Sequence, residues 1–202
     1  MRADALAGGF ADQVLQSQAV FRTLLDALSR PGTVHILPPA VRPPLPLKPA
    51  AGALLGALAD ADTPVWLDAR LAAHDSVVAW IRFHTGARIV SHPAKAVFAV
   101  VADPEAMPLF SLFAQGSAEY PDRSATLIIE VERLSAPDPY LLAGPGVDGS
   151  VALGFEPQPP DFRRQLDANR ALFPRGIDIV LTTPTQIAGL PRTTRIVGKG
   201  RA

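Results

Sequence analysis

Apolar positions along this chain change period several times, and each change marks an element. Between Phe162 and Phe173 the repeat runs at steps of four, three and four, through Leu166 and Asn169. That spacing places all four on one helical face. Pro160 and Asp161 suit a first turn: proline lacks the donor that the turn leaves unpaired, and aspartate can cap it. Phe173-Pro174 marks the end, because the ring of Pro174 disfavours αR at Phe173. Gly176 lets the backbone turn. Ile177, Ile179, Val180 and Leu181 then read as a strand, mostly apolar and β-branched, hence interior. Asp178 interrupts that run.

The same reading carries through the rest of the chain. Val14, Phe21, Leu25 and Leu28 share one face of a helix within residues 10–32, with Gln18 among them, and Arg30-Pro31-Gly32 stops it. Thr33–Leu37 is a short strand. Residues 38–49 are proline-rich and run extended over the surface. Residues 50–60 form an Ala/Leu helix, and Thr63–Leu67 a strand. Asp75 caps a helix that passes Arg82 and His84 and ends at Gly86. Ile89-Val90 and Ala96–Val101 are further strands, the second wholly apolar. Residues 104–115 read as a helix stopped by Gly116, and Ser124–Leu134 as a long strand. Tyr140–Leu142 and Val151–Leu153 flank Gly144-Pro145-Gly146, which suggests an antiparallel ribbon added to a largely parallel sheet.

Alternating helices and strands define an α/β chain. The expected architecture is a three-layer αβα arrangement around a mostly parallel mixed sheet. Its core takes in Phe98, Val100, Leu127, Leu166, Phe173, Ile179 and Leu181. At 202 residues, a single domain over 1–202 is expected.

Composition removes whole classes of function. Lys+Arg and Asp+Glu are 19 each, so there is no basic footprint for nucleic acid. No run reaches the roughly 18 apolar residues of a membrane span. Asp4 and Asp12 stand where a secretory leader needs a charged-then-apolar pattern, so a cytoplasmic address is expected. The absence of cysteine removes disulfides, thiolate catalysis and Cys-based metal sites. The four histidines, at 35, 74, 84 and 92, lack metal-ligand spacing, so no metal is expected. The 48% hydrophobic content and the neutral charge favour an apolar contact surface and a two-fold dimer.

Candidate chemistry lies in four places. The loop from Gly116 to Thr126 carries Glu119 and Asp122 around Tyr120-Pro121, with Arg123 in reach. It can present an acid and a base, or be a rim loop with local ion pairs. Gly144-Pro145-Gly146 can aim backbone N–H groups at an anion, although Pro145 removes one donor; a tight turn is the alternative. Arg192, Thr193 and Thr194 can grip a phosphate, with Arg175 beside Gly176 a similar case. Alternatively Arg192 pairs with Asp178 inside the fold. Lys95 is the one lysine suited to a Schiff base with pyridoxal phosphate (PLP), but no Ser/Gly phosphate cup stands near it in sequence. No PLP is therefore expected.

Seven phrases, in order from residue 9 to 195, resemble the PhnH family, a subunit of bacterial carbon–phosphorus lyase. They are Gly9-Phe10; Ser17-Gln18 with Phe21-Arg22; Arg30-Pro31-Gly32; Gly116 with Glu119-Tyr-Pro121 and Ala125-Thr126; Gly144-Pro-Gly146; Phe173-Pro-Arg-Gly-Ile-Asp178; and Leu190-Pro-Arg-Thr-Thr194. The resemblance implies the fold of PLP-dependent transferases without the cofactor or its lysine. It implies PhnG-, PhnI- and PhnJ-type partners and dimers when isolated. The step implied is displacement of adenine from ATP by an alkylphosphonate, giving ribose 1-alkylphosphonate 5-triphosphate, with the chain not active alone. It carries over no catalytic residues. Beside it stands an independent phosphate-ester-binding enzyme that uses the Arg192 loop.

Overall fold

The computed structural model describes residues 6–200, so Asp4 lies outside the described residues. The helices are α1 (Gln13–Ser29), α2 (Pro49–Leu58), α3 (Ala69–Ala72), α4 (Asp75–Thr85) and α5 (Phe162–Ala171). The strands are β1 (Val34–Ile36), β2 (Val65–Leu67), β3 (Ile89–Val90), β4 (Phe98–Val101), β5 (Thr126–Glu130), β6 (Tyr140–Ala143), β7 (Val151–Leu153), β8 (Asp178–Thr182), β9 (Gln186–Leu190) and β10 (Arg195–Lys199).

Seven strands form the main sheet in the order β1-β9-β8-β5-β4-β2-β3. From β3 to β8 all neighbours are parallel. The β8–β9 hairpin and β1 add two antiparallel pairs. The interior strands are buried on both faces, and this explains why they read as continuous apolar runs rather than alternating ones.

Alternate residues of these strands feed two cores. Val65, Leu67, Val100, Ile128, Val180 and Ile187 face α1, α2 and α4. Trp66, Ala99, Val101, Leu127, Ile129, Ile179 and Leu181 face α5 and a second sheet. That second sheet is antiparallel, ordered β10-β6-β7. The expected ribbon therefore exists, but it packs as a layer of its own instead of extending the parallel sheet. The third layer is one ten-residue helix plus three strands, not the helical layer of an αβα sandwich.

Four further expectations need correction. Residues 104–115 are not one helix but two 3₁₀ turns, Pro104–Ala106 and Phe110–Leu112. Pro108 between them lacks an N–H and breaks helical pairing. Strand β5 ends at Glu130 instead of Leu134; Arg133 leaves the sheet and bridges to Glu156. His74, not Asp75, is the N-cap of α4, and Asp75 lies inside its first turn. Phe173 lies beyond the end of α5 and is 63% exposed. Leu166, Leu127, Ile179 and Leu181 are buried together, whereas Val100 and Phe98 belong to the opposite face.

Helix α1 is rotated relative to its apolar pattern. Val20, Leu24 and Ala27 are buried, while Val14, Phe21 and Leu25 are exposed. Close approach to β9 sets this rotation. A Cβ on Gly189 would stand 2.6 Å from the Ala27 carbonyl oxygen. The smallest residues of both elements must meet there, so larger apolar side chains turn outward.

Candidate functional site

Asp178 opens β8, and Arg192 lies in the turn between β9 and β10, which the hairpin folds back beside it. The Asp178 carboxylate accepts from the Arg192 backbone N–H at 2.8 Å and from Nε at 3.2 Å. Its second oxygen accepts from Nη2 at 2.5 Å. The same guanidinium donates to the carbonyls of Pro121 and Pro174 and to Ser124 Oγ. Both side chains are largely withdrawn from water. A guanidinium committed to five acceptors has no donor fork left for a phosphate. Arg192 is thus a clamp joining β8, the β9–β10 turn, the loop before β5 and the link after α5.

The other residues singled out in the sequence do not join one site. Glu119, Asp122 and Arg175 are exposed, with no ion pair among the described residues. Arg123 stacks on the Tyr120 ring, 4.0 Å from its centroid, at the surface. Thr194 is buried, and its hydroxyl has no partner among the described residues. Lys95 is exposed at the end of the 3₁₀ turn Pro93–Lys95. Asn169 is buried, and its partner is the backbone of Ile177.

Thr193 is not among the clamp's hydrogen-bond partners. With Gly144, Pro145, Val147 and the guanidinium-bearing Arg170 and Arg195 it lines a polar cleft of about 400 Å³. Gly144 takes φ 147°, and a Cβ there would stand 3.0 Å from the Thr193 carbonyl oxygen, so the close seam between these two turns requires glycine. Arg170 and Arg195 are both exposed and make no ion pair among the described residues. Two unpaired guanidiniums facing one concavity suit an anion. Sequence reading found Thr193 and Gly144 separately; Arg170 was missed because only the fold brings α5 beside them.

A second polar cleft, of about 500 Å³, opens at the carboxyl ends of β2, β4 and β5. Lys48, Arg70, Asp103, Glu105, Glu130 and Glu132 line it. Below it Asp68 joins two strand ends, accepting from the N–H groups of Leu71, Ala102 and Asp103. Glu130 is 1% exposed, and burial pushes its carboxyl up to about 7. The partial counterweights are the Lys48 N–H, which donates to it, and the Lys48 charge. In an open α/β sheet the carboxyl ends of the strands are where ligands bind. Among the described residues, no three carboxylates or histidines converge to hold a metal ion. No helix among them is long and apolar enough to cross a membrane.

These elements define a mixed α/β protein built on a seven-stranded, mostly parallel sheet, with two polar clefts at its surface. Residues 8–197 match the family described as bacterial phosphonate metabolism protein (PhnH). The chain belongs to the PhnH family. It is 44% identical over 189 residues, 94% of each chain, to the alpha-D-ribose 1-methylphosphonate 5-triphosphate synthase subunit PhnH of Rhizobium meliloti (strain 1021). It is 35% identical over 85 residues, 42% of its own length and 44% of the relative's, to the putative C-P lyase subunit protein HtxG of Stutzerimonas stutzeri.

Proposed function

We propose that this chain is a non-autonomous subunit of a synthase that makes ribose 1-alkylphosphonate 5-triphosphate in phosphonate degradation. The observation that carries the reading is the 44% identity over 94% of both chains to a synthase subunit. In this reading the chain works in the cytoplasm as one domain with PhnG-, PhnI- and PhnJ-type subunits. It supports displacement of adenine from ATP by an alkylphosphonate and is not active alone. Its sheet is that of the PLP-dependent transferases, a reading for which the seven-stranded mixed order is the support; in this reading the sheet is used without PLP or a metal. Isolated copies pair as homodimers.

The second reading, a phosphate-ester-binding site beside the Arg192 loop, is supported by the cleft of Arg170 and Arg195 and not by Arg192 itself. Both guanidiniums face a concavity sized for a phosphonate or a terminal phosphate.

Co-expression with the three partner types tests the main reading. A stable complex should form, and it should release adenine from ATP plus methylphosphonate only when this chain is present. Full activity without it would overturn the assignment. Titration of the isolated chain with ATP tests the second reading. The Arg170→Ala/Arg195→Ala pair should remove any saturable binding, and unchanged affinity would place the anion elsewhere.

A further inference from the structure

Glu130 has half its hydrogen-bonding capacity unmet. Oε1 accepts from the Lys48 N–H at 2.8 Å. Oε2 is buried and has no partner among the described residues. Ionised, this carboxyl leaves an acceptor oxygen unpaired; protonated, it leaves either that acceptor or a hydroxyl donor unpaired. Leaving a buried polar atom unpaired is costly, so a persistent one marks capacity for something that binds.

Glu130 does not sit in a closed core. It lies in the wall of the cleft at the strand ends, where the other wall groups divide by sign. From the segment before α2 comes Lys48, whose Nζ donates to the Val131 carbonyl at 3.1 Å. From α3 comes Arg70, exposed and without an ion pair among the described residues. After β4 come Asp103 and Glu105, and after β5 comes Glu132. Asp68 stands behind, with its oxygens occupied by backbone donors. Carboxylates outnumber cations in the wall, so a polyanion such as a triphosphate is disfavoured. A lone cation leaves Arg70 unmatched. A molecule with both charges matches both.

We propose that this cleft binds a small zwitterion, its ammonium group donating to Glu130 and its anionic group held by Arg70. The proposal concerns the isolated chain and does not depend on the synthase assignment. The anionic end can be a carboxylate or a phosphonate, which share the fork geometry that a guanidinium accepts.

Calorimetric titration of the full chain tests it, with β-alanine and 2-aminoethylphosphonate as the two zwitterions. Ethylamine, propanoate and ethylphosphonate supply one charge each. Saturable binding of at least one zwitterion is expected, with each single-charge probe weaker by about tenfold or more, the value of one charge-assisted hydrogen bond. The preferred zwitterion identifies the anionic group. Glu130→Gln and Arg70→Ala should each weaken binding by a similar factor. Arg70 is exposed, so its variant keeps the test valid if Glu130→Gln folds poorly. Affinity should rise as pH passes upward through about 7, because an ammonium is held by the ionised carboxylate, and Glu130→Gln should lose that slope. Binding of neither zwitterion, or equal binding by the wild type and both variants, overturns the proposal. Such a failure leaves the synthase reading intact, since complex formation and adenine release are measured separately.

Discussion

Asn169 serves as a strand partner for Ile177. Its Nδ2 donates to the Ile177 carbonyl at 3.0 Å, and its Oδ1 accepts from the Ile177 N–H at 2.8 Å. Both backbone groups of Ile177 are thereby satisfied just before β8 begins. Gly176 makes this possible, since a Cβ there would stand 2.8 Å from Asn169 Oδ1. Replacing Asn169 with Ala strands a buried donor and a buried acceptor together. Each stranded group costs roughly 1–3 kcal/mol, so a loss of about 2–6 kcal/mol is expected in urea denaturation. Asn169→Asp should be only partly better, because it keeps the acceptor and loses the donor. An alanine variant within about 0.5 kcal/mol of wild type, the usual range for a surface change, would show that these bonds hold nothing.

The Arg192 clamp leads to a different kind of prediction. Arg192→Ala leaves the Asp178 carboxylate with no cation in a mostly buried setting, which should cost about 3 kcal/mol. Arg192→Lys should recover little, because an ammonium cannot reproduce a fork spread over five acceptors. The double variant Arg192→Leu/Asp178→Leu should fall less than the sum of its single changes, since it removes both charges at once. Additive losses in that thermodynamic cycle would argue against a coupled pair.

Several of these contacts were legible in the sequence, for a physical reason. A carboxylate inside an apolar strand demands a partner, and Arg192 returns to β8 after one short hairpin. Asn169 stood on the buried helical face, but only the turn at Gly176 brings the Ile177 backbone to it. The stretch 104–115 misled because its apolar spacing looked helical while Pro108 removed the donor a helix needs. Helix α1 misled more deeply. Its large apolar residues define one face, yet Ala27 against Gly189 decides which face is buried, and a pairwise close approach leaves no mark on periodicity. Glu130 was legible only as one position inside the expected Ser124–Leu134 strand. Its burial comes from strands β4 and β8 on either side of β5, which only the sheet order specifies.

Glu130 also gives the fold a pH dependence with a definite sign. Its folded-state value is about 7, against 4.5 for the free group. The folded chain therefore binds this proton more tightly than the unfolded chain. The stabilisation is complete below about pH 4.5 and is lost as pH rises through 7. At about 1.4 kcal/mol per unit the loss is roughly 3 kcal/mol. Glu130→Gln removes the titration and keeps an acceptor for the Lys48 N–H. Relative to wild type, the variant should gain stability between pH 4.5 and pH 8 in ligand-free buffer. Parallel stability curves for the two proteins over that range would place the titrating group elsewhere.

The outward stripe on α1 bears on self-association. Val14, Phe21 and Leu25 lie along one side of the helix and remain 73%, 43% and 50% exposed. At the margin of the main sheet, β1 pairs with β9 alone, and Val34 and Ile36 on it are also exposed. A row of large apolar side chains near an unpaired strand edge favours a second apolar surface, and a two-fold copy supplies one without any further component. Phe21→Asp/Leu25→Asp should leave thermal unfolding of the monomer close to wild type, because neither side chain belongs to a core. The same pair should shift light-scattering mass from dimer toward monomer at tens of micromolar, since two charges at the centre of an apolar contact must be desolvated to close it. The direction of the mass change separates the possibilities. A wild type that is already monomeric at that concentration removes the homodimer. A variant that stays dimeric keeps the homodimer and moves its contact away from α1.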